Sequence, residues 1–224
     1  GPWEMLEERG IIIHNVKVDL EKCIIDMEDF KSKLNDKTKV AAFNYASNGV
    51  GTVSDVKAMV AMAHEAGVLT IVDAVHYALH GPIDVKDLDT DFLFCSAYKF
   101  FGPHIGVLYS KKEKLEGLRT IKVKEQDDFA PYKFETGTLN HEGIAGAAEA
   151  IEFIASIGET YGSEFEKELK GFSGRRRNVV AGMLALEAYE QPITAHFIDE
   201  LERIPGVRVY GPPKGYPRSS TVSF

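Results

Sequence analysis

The sequence predicts an α/β protein built around a mostly parallel sheet. Strand-like and helix-like stretches alternate along the first half of the chain at a spacing that fits such a sheet. One apolar run, Ile71-Val72-Asp73, also ends in an acid. Strands of open α/β sheets present their ligand groups at that end.

Each element has a local reason. Residues Ile11 to Val18 are apolar and β-branched and read as a strand. Met27 to Leu34 reads as a helix and Lys39 to Tyr45 as a buried strand, followed by a loop through Ser47-Asn48-Gly49-Val50-Gly51. Ser54 stands where a helix N-cap is expected. Val56, Met59, Val60 and Ala63 then recur at helical spacing up to Gly67. Val68 to Asp73 is a strand, Asp84 to Leu88 a helical turn, and Asp91 to Ser96 and Ile105 to Tyr109 two further strands. Glu142 to Ile157 is Ala-rich and helical, and His141 before it is placed to cap that helix. Phe165, Leu169, Phe172, Val179 and Met183 mark one side of a long helix toward Tyr189. Pro205-Gly206 ends the helical pattern, and Val207 to Tyr210 starts a strand. A second domain is expected to begin in the long helix, near residue 160.

Composition narrows the function. With 224 residues, 44% of them apolar, the chain can bury a substantial core. A net charge of −8 and a pI near 5.4 argue against nucleic acid or an anionic membrane as partner. There is no apolar run of membrane-spanning length. Two cysteines, Cys23 and Cys95, cannot make a disulfide framework, which points to a reducing, cytoplasmic setting. The chain opens Gly1-Pro2-Trp3 and stops at Thr221-Val222-Ser223-Phe224, inside what reads as a strand, so an internal fragment is expected.

Two residues stand out chemically. Asp73, at a strand end, is poised over the crevice where such sheets bind ligands. Twenty-six positions later comes Ser96-Ala97-Tyr98-Lys99-Phe100-Phe101-Gly102-Pro103-His104. A lysine between a buried strand and two aromatics is oddly placed for a surface charge. Apolar surroundings favour the neutral form of an amine, and that form attacks a carbonyl. Taken alone, the bland readings stay open: a turn carboxylate and a lysine reaching for solvent.

Together with Ser47-Asn48-Gly49-Val50-Gly51-Thr52, Asp73-Ala74-Val75-His76, Ile83-Asp84-Val85, Asp91-Phe92 and Phe134-Glu135-Thr136-Gly137-Thr138-Leu139-Asn140, this segment resembles the class V aminotransferases. Within them it is most similar to the cysteine desulfurase and selenocysteine lyase group. The resemblance implies the pyridoxal-phosphate-dependent transferase fold, of the aspartate aminotransferase-like kind. Residues 1–160 would be the C-terminal part of its large cofactor-binding α/β domain, and residues 161–224 a linking helix and a truncated small α+β domain. It further implies an enzyme acting on an amino acid, cysteine first, and yielding alanine and sulfur through a persulfide. Lys99 matches the lysine that holds pyridoxal 5'-phosphate as a Schiff base and moves the substrate's α-proton. Asp73 matches the acid that faces the pyridine nitrogen, and His76 a position beside the phenolic oxygen. Ser96 and Tyr98 match phosphate contacts, although many desulfurases carry His where Tyr98 stands. Thr138 matches a threonine reaching the phosphate in the neighbouring subunit, which implies a homodimer with shared sites. Asn48 matches a residue near the substrate carboxylate. A sulfur-acceptor protein is a further implied partner.

The departures are specific. Neither Cys23 nor Cys95 matches the family's loop cysteine that receives sulfur, and Cys95 reads as a small buried hydrophobe. The Gly-rich phosphate loop, the ring-stacking residue and the carboxylate-binding arginine have no counterpart in this chain, so by itself it is expected to bind the cofactor weakly. Other class V chemistries (an aminotransferase, an epimerase, a kynureninase-type lyase) remain alternatives, as does a non-catalytic fragment. His76, His80 and Asp84 fall four apart and raise a metal site, but Gly81-Pro82 breaks any helix joining them; no metal is expected. His104 is expected at a loop tip or an entrance. The Gly174-Arg175-Arg176-Arg177 run is expected to be a solvated helix face.

Overall fold

A computed structural model describes residues 3–224; Gly1 and Pro2 lie outside the described residues. After a 3-10 turn over Glu4–Arg9, the chain runs without regular structure to a small hairpin, β1 (Val18–Asp19) with β2 (Ile24–Ile25). The expected strand over Ile11 to Val18 is therefore almost wholly absent. β-Branched residues need a partner strand to hold an extended backbone, and Ile11 and Ile12 are left exposed.

Helix α1 (Met27–Ser32) is capped by Asp26, whose carboxylate accepts from Asp29 N–H. Strand β3 (Val40–Asn44) leads through the Ser47–Thr52 loop to α2 (Val56–Glu65). The cap of α2 is Asp55 rather than Ser54: its carboxylate takes the Ala58 N–H. Val56, Met59, Val60 and Ala63 are all buried, as their spacing requires. β4 (Leu69–Asp73), α3 (Val85–Leu88), β5 (Phe92–Ser96) and β6 (Gly106–Ser110) complete the first half. The sheet order is β3-β4-β5-β6, with β3, β4 and β5 parallel and β6 antiparallel to β5. β3 lies at one edge of this sheet, and its Val40 is exposed rather than buried.

One face of α2 joins two buried clusters. Val56 and Val60 meet Val72, Ala74, Leu88 and Leu93, while Met59 and Ala63 meet Phe30, Ala41 and Val68. A third cluster brings Ala97 and Phe100, from the turn after β5, against Ala150 and Ile154 of α5 (His141–Tyr161) and Met183 of α6 (Gly174–Glu202). A short α4 (Lys112–Gly117) lies between β6 and α5. The cap of α5 is Asn140, which accepts from Gly143 N–H; His141 is the first helical residue and does not cap it.

The long helix starts later than its apolar spacing suggests and ends at Glu202, just before the Pro205-Gly206 break. Phe165, Leu169 and Phe172 lie in a 3-10 turn and irregular chain before it. Gly171 and Gly174 both take positive φ, 94° and 55°, which interrupts the helical path. Beyond α6, Val207 to Tyr210 forms no strand; among the described residues Tyr210 makes an isolated bridge with Ser223.

Candidate active site

The parallel sheet puts the C-terminal ends of β4 and β5 at one edge. Asp73 pairs with Asn44 on one side and Phe94 on the other. Beyond Ser96 the chain turns at once into a 3-10 segment, Ala97–Phe100, that carries Lys99. The turn is fixed by Ala97 N–H donating to the Ile105 carbonyl and by the fully buried Ala97 and nearly buried Phe100. Lys99 itself is half-buried, its Nζ 5.3 Å from the centre of the Tyr98 ring. Among the described residues, neither the Lys99 amine nor the Ser96 hydroxyl has a hydrogen-bond or ion-pair partner. Tyr98 is exposed and stacks on His104, centroids 4.9 Å apart and planes 19° apart.

Asp73 accepts a hydrogen bond from Val75 N–H at 2.9 Å, which bends the chain into the turn carrying His76. His76 Nε2 lies 3.0 Å from Ser219 Oγ and 2.9 Å from Thr221 Oγ1. Burial, reinforced by the charges of His80 and Lys99, pushes its pKa down to about 4, with Glu190 opposing. Next to it, Tyr77 stacks flat on Tyr45, centroids 3.9 Å apart, and burial raises the pKa of both phenols. His80 Nδ1 lies 2.7 Å from Glu190 Oε2 on α6. A cleft of about 860 Å³ opens beside this pair, lined by Tyr77, His80, Glu187, Gln191 and Arg218 among others. Neither Asp73 nor Lys99 lines it.

The residues singled out from sequence are thus partly assembled. Asp73, His76, Ser96, Tyr98 and Lys99 come from adjoining strand ends and the turns that follow them. Asn48 is exposed in the loop after β3, and Thr138 is exposed before α5. No contact links either to the others. Asp84 is not part of a group with His76 and His80: it caps α3 through Lys86 and Asp87 N–H and pairs with Arg176 at 2.5 Å. Arg175 and Arg177 likewise pair with Glu152 and Glu166 on a largely solvated face. Cys95 is half-buried and desolvation raises its thiol pKa, which disfavours the nucleophilic thiolate. Sequence reading missed Ser219, Thr221 and Glu190, which reach the site from more than 100 residues away. Only His80, as one of three regularly spaced polar residues, had any local signal.

The Lys99 amine follows β5 and the Asp73 carboxylate ends the adjoining strand β4, with the Ser96 hydroxyl between them in sequence. The aminotransferase class-V family model matches residues 1–173. The chain belongs to that family, whose members depend on pyridoxal phosphate. It is 28% identical to a cysteine desulfurase of Pectobacterium atrosepticum, over all of this chain and 51% of that protein. It is 33% identical to a probable cysteine desulfurase of Mycobacterium leprae, over all of this chain and 50% of that protein. Among solved structures, the cysteine desulfurase CsdA of Escherichia coli superposes with a TM-score of 0.75 at 26% identity, covering 99% of this chain and 51% of that one. The chain thus spans about half the length of the relatives it matches.

Proposed function

We propose that the protein is a pyridoxal-phosphate-dependent enzyme of the cysteine desulfurase type, acting on an amino acid. The observation that carries this is the placement of Lys99 and Asp73 at the same edge of neighbouring parallel strands. Similarity to cysteine desulfurases from several bacteria supports cysteine as substrate.

Bound pyridoxal phosphate supplies an aldehyde and an electron-withdrawing ring. The residues of this chain then divide the remaining work. Lys99 would hold the cofactor through its amine, and the same amine would be the base that takes the substrate's α-proton. Asp73 supplies the negative charge that keeps the ring nitrogen protonated. His76 faces the phenolic oxygen, and Ser96 and Tyr98 donate to the phosphate. Asn48 binds the substrate carboxylate. Thr138, exposed on its loop, reaches the phosphate of a second subunit, so the active form is a homodimer with shared sites. The sulfur passes to an acceptor protein. The two free cysteines support a cytoplasmic enzyme. Residues 1–160 belong to the large cofactor-binding domain, and 161–224 to the linking helix and the start of the small one. The interruption at Gly162–Phe165, between α5 and α6, supports that boundary.

Two measurements test this. Borohydride reduction of the whole protein with pyridoxal phosphate should fix the cofactor mass on Lys99; an unmodified Lys99 would sink the proposal. Incubation with cysteine and excess dithiothreitol, which reduces the persulfide sulfur, should release alanine and sulfide in equal amounts. Lys99→Ala should cut that turnover by about 10²–10⁴-fold, the usual worth of a proton-transfer group. Keto-acid or racemised product, without sulfide, would point to another class V chemistry.

A further inference from the structure

Contacts to His76 converge from separate parts of the chain. His80 follows one turn later, its ring centroid 4.9 Å away and tilted by 52°. Glu190, on α6, holds His80 Nδ1 at 2.7 Å. An ionised carboxylate only accepts, so that nitrogen carries the hydrogen. On its other side, His76 meets the hydroxyls of Ser219 and Thr221. We propose that His80, tied to Glu190, and the hydroxyls of Ser219 and Thr221 are positioning residues that hold the His76 ring in one orientation beside the cofactor. This deepens, and rests on, the placement of His76 at the phenolic oxygen.

One hydrogen decides the orientation. A neutral imidazole has one donor and one acceptor nitrogen. Burial keeps His76 neutral, with its pKa near 4. Ser219 Oγ has a second acceptor in reach, the Gly51 carbonyl at 3.4 Å. Thr221 Oγ1 has no other partner among the described residues, so its hydrogen goes to His76 Nε2. The ring hydrogen is thereby left on Nδ1, a donor suited to an anionic oxygen. The charged groups acting on the ring are His80 on its own segment, Lys99 on the turn after β5 and Glu190 on α6. The last segment adds Arg218, whose guanidinium is directed at the Ser219 and Thr221 carbonyls.

The whole protein, labelled with nitrogen-15 and studied by histidine-ring NMR with and without cofactor, tests this. Removing a positive neighbour by His80→Gln should raise the pH at which His76 titrates by roughly 0.5–1. Glu190→Gln, nearly the same shape, should lower it. Thr221→Val should move the ring hydrogen from Nδ1 to Nε2 and shift the visible absorption band of the bound cofactor, and Thr221→Ser should restore both. Shifts of the same sign in the His80 and Glu190 variants, or an unchanged tautomer in Thr221→Val, would overturn the proposal. If borohydride still fixed the cofactor on Lys99 in those samples, the cofactor reading would stand without it. Failure to label Lys99 in the unmodified protein would remove both.

Discussion

At the scale of single residues, Asp91 shows how a buried charge can be satisfied away from the site. Its carboxylate is 2% exposed. It accepts from Thr70 N–H at 2.9 Å and Thr70 Oγ1 at 3.2 Å and meets His64 Nε2 at 3.0 Å, with Lys114 at 3.4 Å. Burial alone would raise its pKa, but these hydrogen bonds and the Lys114 charge outweigh it and leave the pKa below the ordinary carboxylate value. A depressed acid contributes stability that is present above its unfolded pKa and is lost as pH falls through its folded one. Asp91→Ala should therefore cost about 2–3 kcal/mol at neutral pH. The deficit should shrink as the pH falls below the ordinary carboxylate range and Asp91 takes up its proton, which acid-titrated thermal melts would show. The same scale explains what could be foreseen. Asp73 and Lys99 were legible because each follows its own apolar run, so their chemistry is encoded locally. Ser219, Thr221 and Glu190 were not, since nothing near them in sequence marks a contact 110 to 145 residues away.

At the scale of elements, the closest approach of helices is set by two glycines. A Cβ on Gly158 of α5 would lie 1.9 Å from the Asn178 carbonyl oxygen, and one on Gly182 of α6 would lie 2.0 Å from that of Ile154. The backbones touch where side chains would stand. Gly158→Ala or Gly182→Ala should lower stability by about 1–3 kcal/mol, read from the melting temperature, despite alanine's better helix propensity. Unchanged melting would mean that the crossing relaxes freely. The elements also divide into those that local pattern decides and those it does not. α2 shows a clean helical period and follows it. The start of α6 was misread because apolar spacing continued through Phe165, Leu169 and Phe172, while glycines at positive φ broke the path. The strand over Ile11 to Val18 failed for a different reason: β-branched residues specify extended chain only when another strand supplies the hydrogen bonds.

At the scale of the whole molecule, the mostly parallel sheet does what the alternation of elements implies, collecting an acid, an amine and a hydroxyl at one edge. Its lateral strand β6 pairs only with β5 among the described residues and leaves Val107 and Leu108 exposed, at 45% and 53%. An open strand with exposed apolar side chains templates association. Leu108→Lys should reduce self-association of this chain at micromolar concentration, measured by light scattering; an unchanged scattering profile would place the sticky surface elsewhere.

The Ser219–Thr221 contacts with His76 also fix an order of events during biosynthesis. A ribosome adding about 5–20 residues per second makes Thr221 roughly 7–30 s after His76. Until then the nascent chain presents the histidine without its hydroxyl partners, and the backbone of Gly51 without the Thr221 carbonyl that will pack 2.5 Å from where a side chain would begin. The surroundings of His76 are therefore completed only after residue 221 has been added, well after the sheet that carries the histidine.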